Sequence, residues 1–190
     1  MKLPELNSAA TYAYLATTAG WSADEGVRLR FRAAERFIGK ATAVLDVGCR
    51  DGTFALALAR KGIRVDGIDT DGTAVMAANE QAIREGLDRA IFFQQDVLAP
   101  AIPLTHYPAV VCMELLEHLP DPEKALAVLS RLVAPGGQLI ISVPANTHIS
   151  DPGHKTTFYR EDLDKRIDGL EWSPDCPHIW LMYRIRRKDA

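Results

Sequence analysis

The sequence is poor in cysteine, in net charge and in long apolar runs, and each shortage narrows the class of protein. Three cysteines (Cys49, Cys112 and Cys176) without a C-x-x-C spacing fit a reducing compartment better than a disulfide framework. A formal net charge of −3 argues against a protein that coats nucleic acid over its whole surface. The longest apolar runs, such as 139–143, are strand-sized, and no apolar segment follows Lys2 as in a secretory signal. We therefore expect a cytoplasmic protein without a membrane span.

What is present is the composition of one globular domain with regularly alternating elements. The 190 residues are 47% hydrophobic and 25% charged, and no repeat or linker divides them. Periodicity and turn signals predict helices at Val27–Phe37, Phe54–Arg60, Thr73–Glu85 and Pro122–Val133, with strands at Ala43–Val47, Ile63–Asp69, Ala109–Met113, Gln138–Val143 and one starting at Ile91. A helix at Arg160–Ile167 and a closing antiparallel strand at Ile179–Arg187 follow. This alternation predicts an α/β fold with a doubly wound, mostly parallel sheet.

Polar residues stand where three of the predicted strands end. In an open α/β sheet, ligands bind beyond the carboxyl ends of the strands. The first strand ends in a turn in which Gly48 and Gly52 allow close approach of the backbone to a ligand. Asp69 ends the second strand and can accept hydrogen bonds from both hydroxyls of a ribose. Asp96 follows the third strand and can meet the exocyclic amine of an adenine. Together these residues predict a nucleoside site.

Each of these residues also has a purely structural interpretation, which the sequence leaves open. A glycine turn after a strand is often only a turn. Asp69 can cap the following helix, and Asp96 can be a turn aspartate. Their order and spacing along one β-α-β pattern favour the binding interpretation over any single structural one.

The spacing of the glycines discriminates between cofactors. A dinucleotide fingerprint needs G-x-G-x-x-G, whereas this turn is G-x-x-x-G, with Asp46 before it and Asp51 inside it. These carboxylates suit a cationic ligand and would repel a diphosphate. A nicotinamide-dependent oxidoreductase is therefore disfavoured, although it would share the fold.

Five motifs occur in the order typical of one enzyme family. They are Val44-Leu-Asp-Val-Gly-Cys-Arg-Asp-Gly52, Asp66-Gly-Ile-Asp69, Gln95-Asp96, Glu114-Leu-Leu-Glu-His-Leu-Pro-Asp-Pro122 and Leu132-Val-Ala-Pro-Gly-Gly137. Over residues 42–145 the chain resembles the class I S-adenosylmethionine-dependent methyltransferases. The resemblance implies a Rossmann-like sheet of seven strands in the order 3-2-1-4-5-7-6, with the last strand antiparallel. It also implies a single domain, with a helical cap at 1–40, the cofactor-binding core at 42–145 and an acceptor side at 146–190.

The resemblance assigns expected roles to residues at the strand ends. The residues expected at the methionine end of the cofactor are Asp46, Gly48 and Gly52. Asp69 would bind the ribose, and Asp96 and Val97 would bind the adenine. Glu114 would lie near the transferred methyl group. Cys49 and Thr70 are also predicted to bind the cofactor. The family has glycine where Arg50 stands. A positive φ at Arg50 would cost about 1 kcal/mol, and we expect its side chain to point to solvent.

The segment after the fourth strand suggests a metal site. Glu114, Glu117 and His118 share a face if the segment is helical, and His154 lies downstream. Two carboxylates and two imidazoles suit Mg²⁺, Mn²⁺ or Zn²⁺. The pattern resembles metal-dependent O-methyltransferases, including the small-RNA 2′-O-methyltransferases and ubiquinone-pathway enzymes. In the alternative interpretation the histidines are structural, or His118 or His154 acts as the general base.

The methyl acceptor is not identified by the sequence. We expect a small molecule, or one presented by a carrier or partner protein, because the chain lacks large inserts. Candidate acceptor-side residues are Tyr12, Tyr14, Trp21, Asn146, His148, His154, Phe158 and Tyr159. The basic residues at 184–188 permit an RNA acceptor, but a solvated strand end is favoured. A non-catalytic protein that keeps the fold and the cofactor is the second hypothesis.

Overall fold

A computed structural model describes residues 23–99, 106–144, 153–159, 163, 170–173 and 180–188. Within these ranges the helices are α1 (Ala23–Ile38), α2 (Thr53–Ala59), α3 (Gly72–Glu85) and α4 (Pro122–Leu132), with a 3₁₀ turn at Leu116–His118. The strands are β1 (Ala43–Val47), β2 (Arg64–Asp69), β3 (Ala90–Gln94), β4 (Tyr107–Met113), β5 (Val133–Pro144), β6 (Leu170–Trp172) and β7 (Trp180–Arg186). The predicted elements of the core are confirmed, with differences at their ends that are largest for β5.

The strands form one sheet in the order β3-β2-β1-β4-β5-β7-β6. The pairs from β3 through β5 are parallel, and β7 runs antiparallel to both β5 and β6. This is the doubly wound α/β sheet with an antiparallel last strand that the sequence predicts. Because β1, β2 and β4 are parallel neighbours, their carboxyl ends meet at one edge of the sheet.

Two apolar clusters cover the two faces of the sheet. Ala33 of α1, Phe54 of α2 and Ala78 of α3 belong to one cluster, and Leu129 of α4 belongs to the other. Successive residues of β7 alternate between the two clusters, because Trp180 and Met182 join the first cluster while Leu181 and Tyr183 join the second. Both faces of the central strands are therefore buried, which explains their nearly continuous apolar runs.

Helix caps show where the local sequence fixes the chain. The Asp71 carboxylate accepts hydrogen bonds from the N–H groups of Thr73 and Ala74 and so caps the start of α3. At its carboxyl end α3 is capped by Gly86 in the left-handed conformation. Asp121 caps α4 in the same way, with Pro122 in the first turn as predicted. Asp71, and not Asp69, is thus the cap of α3.

The fifth strand is longer than the sequence predicts. The sequence predicts a strand only from Gln138, but β5 already pairs with β4 at Val133 and continues through a bulge. The register moves from Tyr107↔Val133 to Ala109↔Gln138 across that bulge. A Cβ on Gly137 would lie 2.8 Å from the Pro108 carbonyl oxygen, so the backbones approach too closely there for a side chain.

The carboxyl-terminal part is described only in pieces. The helix predicted at 160–167 lies outside the described residues except for Leu163, which is buried. The basic residues of β7 have structural partners, because Arg184 and Arg186 both pair with Glu171 next to them on β6. These contacts favour the interpretation of the basic tail as a strand end. Among the described residues, no helix combines the length and the apolar character that a membrane crossing requires.

Candidate active site

A cleft of about 440 Å³ opens at the carboxyl ends of β1, β2 and β4, and α1 forms one of its walls. Its lining residues are Arg30, Phe31, Asp46, Gly48, Cys49, Arg50, Asp51, Thr53, Phe54, Asp69, Met113, Glu114, Leu115 and His118. The structure therefore brings together six of the predicted site residues, namely Asp46, Gly48, Cys49, Asp69, Glu114 and His118. Four lining carboxylates and two lining arginines make this surface predominantly acidic.

The turn after β1 is built so that its backbone lines the cleft. Gly48 has φ +78°, and its N–H donates to the Ile68 carbonyl oxygen at 2.8 Å. A Cβ at Gly48 would lie 3.2 Å from the side chain of Leu115, which also lines the cleft. Arg50 has φ +47° and an exposed side chain, which agrees with the orientation expected from the sequence. Its left-handed backbone turns its own N–H towards Asp69.

Gly52, at the end of this turn, packs against the Phe92 ring of β3. It has φ +73°, and a Cβ there would lie 2.9 Å from two carbons of the Phe92 ring. Gly67 of β2 packs against the same ring, since its Cβ would lie 2.5 Å from Phe92 Cδ1. Gly52 is not part of the cleft lining, so its visible role is to let the turn pack against β3.

Asp69 lies at the end of β2 with both carboxylate oxygens engaged by the backbone. Oδ2 accepts the N–H of Arg50 at 2.8 Å, and Oδ1 accepts the N–H of Asp71 at 2.9 Å. Each oxygen of a carboxylate can accept more than one hydrogen bond. The two backbone donors therefore fix the orientation of the carboxylate. Its oxygens can still accept hydrogen bonds from the hydroxyl groups of a ligand in the cleft.

Asp46 is a buried carboxyl group at the base of the cleft. Its burial, and then the nearby charge of Asp69, raise its pKa from 3.8 to about 7. The Cys49 thiol beside it has a pKa raised above its usual range, first by burial and then by the charge of Asp46. At neutral pH the thiol is therefore protonated and unreactive. A cationic group bound near Asp46 would favour its ionised form.

This raised pKa predicts how stability depends on pH. The folded protein binds the Asp46 proton more tightly than the unfolded chain does, so this proton stabilises the folded state. Its contribution to the free energy of unfolding is complete below pH 3.8 and is lost as the pH rises through about 7. The shift corresponds to roughly 4 kcal/mol between the two protonation states. Asp46→Asn, which imitates the neutral form, should therefore gain stability relative to the wild type between pH 5 and pH 8. Urea unfolding across that range measures it, and parallel pH profiles for the two proteins would contradict the expectation.

Glu114, at the end of β4, is held between three elements. Its backbone has φ +54°, and its N–H donates to the Ser142 carbonyl oxygen of β5 at 2.9 Å. Its Oε1 accepts the Ser142 hydroxyl at 2.8 Å, and its Oε2 lies 3.3 Å from Nη1 of Arg30 on α1. The helical continuation that would align Glu114 with Glu117 and His118 does not begin until Leu116.

Glu117, His118 and His154 form a second cluster, which shares His118 with the cleft lining and in which one potential ligand atom from each residue lies within 4.8 Å of the others. The N–H groups of Lys155 and Thr156 donate to the Glu117 carbonyl oxygen, at 2.7 and 3.2 Å, and so hold the loop with His154 against the 3₁₀ turn. The two imidazole rings meet edge to face, with centroids 4.8 Å apart. Glu114 does not belong to this cluster.

The tautomer of His118 follows from one contact. Its Nδ1 lies 3.2 Å from the Gly153 carbonyl oxygen, and a carbonyl only accepts hydrogen bonds. Nδ1 therefore carries the proton, and in the neutral ring Nε2 keeps its lone pair. That nitrogen can accept a proton or coordinate a metal ion.

The remaining predicted residues lie outside the cleft lining. Asp96 is exposed, and its Oδ1 accepts the N–H of Leu98 at 2.8 Å, as in a turn aspartate. Val97 is buried in the core and Thr70 is exposed. Adenine and ribose contacts by these three residues stay predictions. On the acceptor side, Phe158 is buried and Tyr159 is exposed, while Tyr12, Tyr14, Trp21, Asn146 and His148 lie outside the described residues.

Sequence reasoning missed Arg30, Phe31 and Ser142. Arg30 precedes the buried Ala33 and Ala34 by three and four residues, so helical spacing places it on the inward face of α1. That spacing was the available signal. Nothing in the pattern of β5 distinguishes Ser142 as the partner of Glu114, because the pairing depends on strand register.

Comparison with known proteins identifies the family. A family model described as a methyltransferase domain matches residues 23–185. The chain is 36% identical over 185 residues to a ubiquinone biosynthesis O-methyltransferase of Leptothrix cholodnii, with 80% of this chain and 78% of the relative covered. It is 40% identical to a protein of the same name from Serratia proteamaculans, over 73% of this chain and 69% of the relative. With a relative from Klebsiella pneumoniae, the alignment spans 52% of this chain and only 41% of the relative.

Solved structures agree on the fold. The cyclase SpnF superimposes with a TM-score of 0.70 at 19% identity over the whole of both chains. The N-methyltransferase NodS from Bradyrhizobium japonicum superimposes with a TM-score of 0.69 at 19% identity, covering 87% of this chain and 98% of NodS.

The chain belongs to the methyltransferase-domain family and is a class I S-adenosylmethionine-dependent methyltransferase. The expectations of a methyltransferase fold, of enzyme activity and of this cofactor are thereby confirmed. The relatives aligned over most of the chain are O-methyltransferases by name, in agreement with the predicted O-methyl transfer.

Proposed function

We propose that the protein methylates a hydroxyl group on an aromatic ring of the kind that precedes ubiquinone. The observation that carries this proposal is the acidic cleft that joins Asp46 and Asp69 to Glu114 and His118. The names of the relatives supply the acceptor class. Residues 146–190 are proposed as the acceptor side of a single domain. Presentation of the acceptor by a carrier or partner protein stays a prediction, and so does a cytoplasmic location.

The cofactor half of the cleft has a suitable charge distribution. The Asp69 carboxylate, oriented by two backbone donors, is proposed to accept the ribose hydroxyls. Asp46 is proposed to take the ammonium group of the methionine end, whose positive charge would favour its ionised form. Bound S-adenosylmethionine supplies a methyl group on a sulfonium sulfur, and transfer to oxygen yields S-adenosylhomocysteine and releases the hydroxyl proton. Alignment of the reacting groups is then the main task of the protein.

We also propose that Glu117, His118 and His154 bind a divalent metal ion. One carboxylate and two imidazoles form a donor set that suits Zn²⁺ or Mn²⁺. A hydrogen bond from Nδ1 of His118 to a backbone carbonyl is the support that metal-binding histidines commonly have. A bound ion would lower the pKa of the acceptor hydroxyl. Glu114 is proposed to lie near the transferred methyl group.

The acceptor proposal is tested with an ortho-dihydroxylated aromatic ring that carries a short isoprenoid chain. Purified protein and labelled S-adenosylmethionine should yield the mono-methoxy product together with an equal amount of S-adenosylhomocysteine. The matched control is the same ring with both hydroxyls already methylated, which should give no product. Methylation of an amine analogue alone would overturn the acceptor class. Cofactor binding without any methylated product would favour the non-catalytic hypothesis.

A further inference from the structure

Arg30 lies in an unusual position for a cation, between the cofactor cleft and the core. Its guanidinium carbon lies 4.8 Å above the centre of the Trp180 ring, which is buried on β7. On its other side Nη1 lies 3.3 Å from Glu114 Oε2, and the two side chains are only 12% and 10% exposed. An ion pair so little exposed is weakly screened by water and salt. The contact therefore joins α1 to the end of β4 through an ion pair of low exposure.

Glu114 is consequently engaged at both carboxylate oxygens. Ser142 donates to Oε1, while Arg30 neutralises the charge at Oε2. For Glu114 to turn towards Glu117 and His118, its carboxylate would have to break its contacts with both Ser142 and Arg30. The guanidinium of Arg30 would then be a largely buried positive charge without its carboxylate partner, which is unfavourable. His118 lines the same cleft as Arg30, so the guanidinium would also repel a divalent cation that approached Glu114.

We infer that Arg30 is a positioning residue that keeps Glu114 out of the metal-binding cluster. This inference rests on the metal ion proposed above. The ion is held by Glu117, His118 and His154 without Glu114, and the Glu114 carboxylate remains beside the cofactor cleft. Arg30 thereby separates two neighbouring carboxylates into different roles, although Glu114 and Glu117 belong to one short sequence motif.

The test is the affinity for Mn²⁺ alone, measured from the spectrum of the free ion by electron paramagnetic resonance and by calorimetry, without cofactor or acceptor. Glu114→Gln should bind Mn²⁺ within about threefold of the wild type, because it removes a group that is not a ligand. Arg30→Gln should bind roughly tenfold more tightly, because it releases a fourth ligand and removes a repelling charge. The double variant Arg30→Gln/Glu114→Gln should lose this gain.

Two further variants serve as controls. Arg32→Gln removes an exposed charge from the same helix and should leave the affinity unchanged, and Arg30→Lys keeps the positive charge and should resemble the wild type. A loss of tenfold or more in Glu114→Gln would overturn the inference, and this variant does not depend on the folding of any Arg30 variant. An unchanged affinity in Arg30→Gln with an intact circular dichroism spectrum would also overturn it. Absence of Mn²⁺ binding in every variant would overturn the metal proposal itself and this inference with it, while leaving cofactor binding untouched.

Discussion

Replacement of Asp69 by alanine should weaken the binding of S-adenosylhomocysteine by at least about a hundredfold. The carboxylate is held in place by the N–H groups of Arg50 and Asp71, and Asp69 lines the cleft with capacity to accept further hydrogen bonds. Two hydrogen bonds from ribose hydroxyls to a charged acceptor contribute roughly 3 kcal/mol or more, which corresponds to that factor. The variant also loses the anchor that holds the Arg50 backbone in its left-handed conformation. Isothermal titration calorimetry measures the effect.

Asp71→Ala is the matched control, two residues further along the same loop. It removes the cap of α3 and should cost about 1 kcal/mol of stability. Its carboxylate does not line the cleft, so binding of S-adenosylhomocysteine should change by less than about threefold. Equal losses of affinity in the two variants would mean that the loop as a whole, and not the Asp69 carboxylate, holds the cofactor.

Replacement of His118 by alanine should lower the rate of methyl transfer by a factor of about 10² to 10⁴, the range that a positioned proton acceptor contributes. The same loss is expected if His118 binds the proposed ion, because Nε2 has the lone pair for either role. Binding of S-adenosylhomocysteine should stay within about fivefold, since the acidic lining at Asp46 and Asp69 is unchanged. Single-turnover kinetics with saturating cofactor separate the two effects.

His106→Ala is the control for His118, because His106 is exposed and precedes β4 at the opposite end of that strand. It should leave both rate and affinity unchanged. Chelation distinguishes the two roles of His118: loss of activity in EDTA with recovery in Mn²⁺ indicates a metal ligand, and full activity after chelation indicates a general base. A His118→Ala rate close to that of the wild type would contradict both roles.

The part of the fold that the sequence predicted best is the part with the strongest local signals. Strand β1 was predicted with the bounds it has, because a buried apolar run ends there in a glycine turn. Strand β6, at Leu170–Trp172, is a three-residue edge strand and has no period to detect. Strand β5 begins earlier than predicted because a proline and two glycines indicate a turn, whereas here they form a bulge held by pairing with β4.

The residues of the candidate site also fall into two groups, those that local sequence signals predict and those that they do not. Asp46, Gly48 and Asp69 could be predicted because strand ends of a parallel sheet meet at one edge. Helical spacing groups Glu114 with Glu117 and His118, but the helical turn begins only at Leu116. The partners that hold Glu114 come from α1 and β5, and local spacing contains no information about which distant elements will face each other.

The most direct test of the account is a crystal structure of the protein with bound S-adenosylhomocysteine. We expect the ribose hydroxyls within hydrogen-bonding distance of the Asp69 carboxylate, the amino-acid end beside Asp46 and Gly48, and the sulfur directed towards Glu114. The Arg30–Glu114 ion pair should persist. A ligand bound elsewhere, or bound in this cleft with its ribose away from Asp69, would contradict the account.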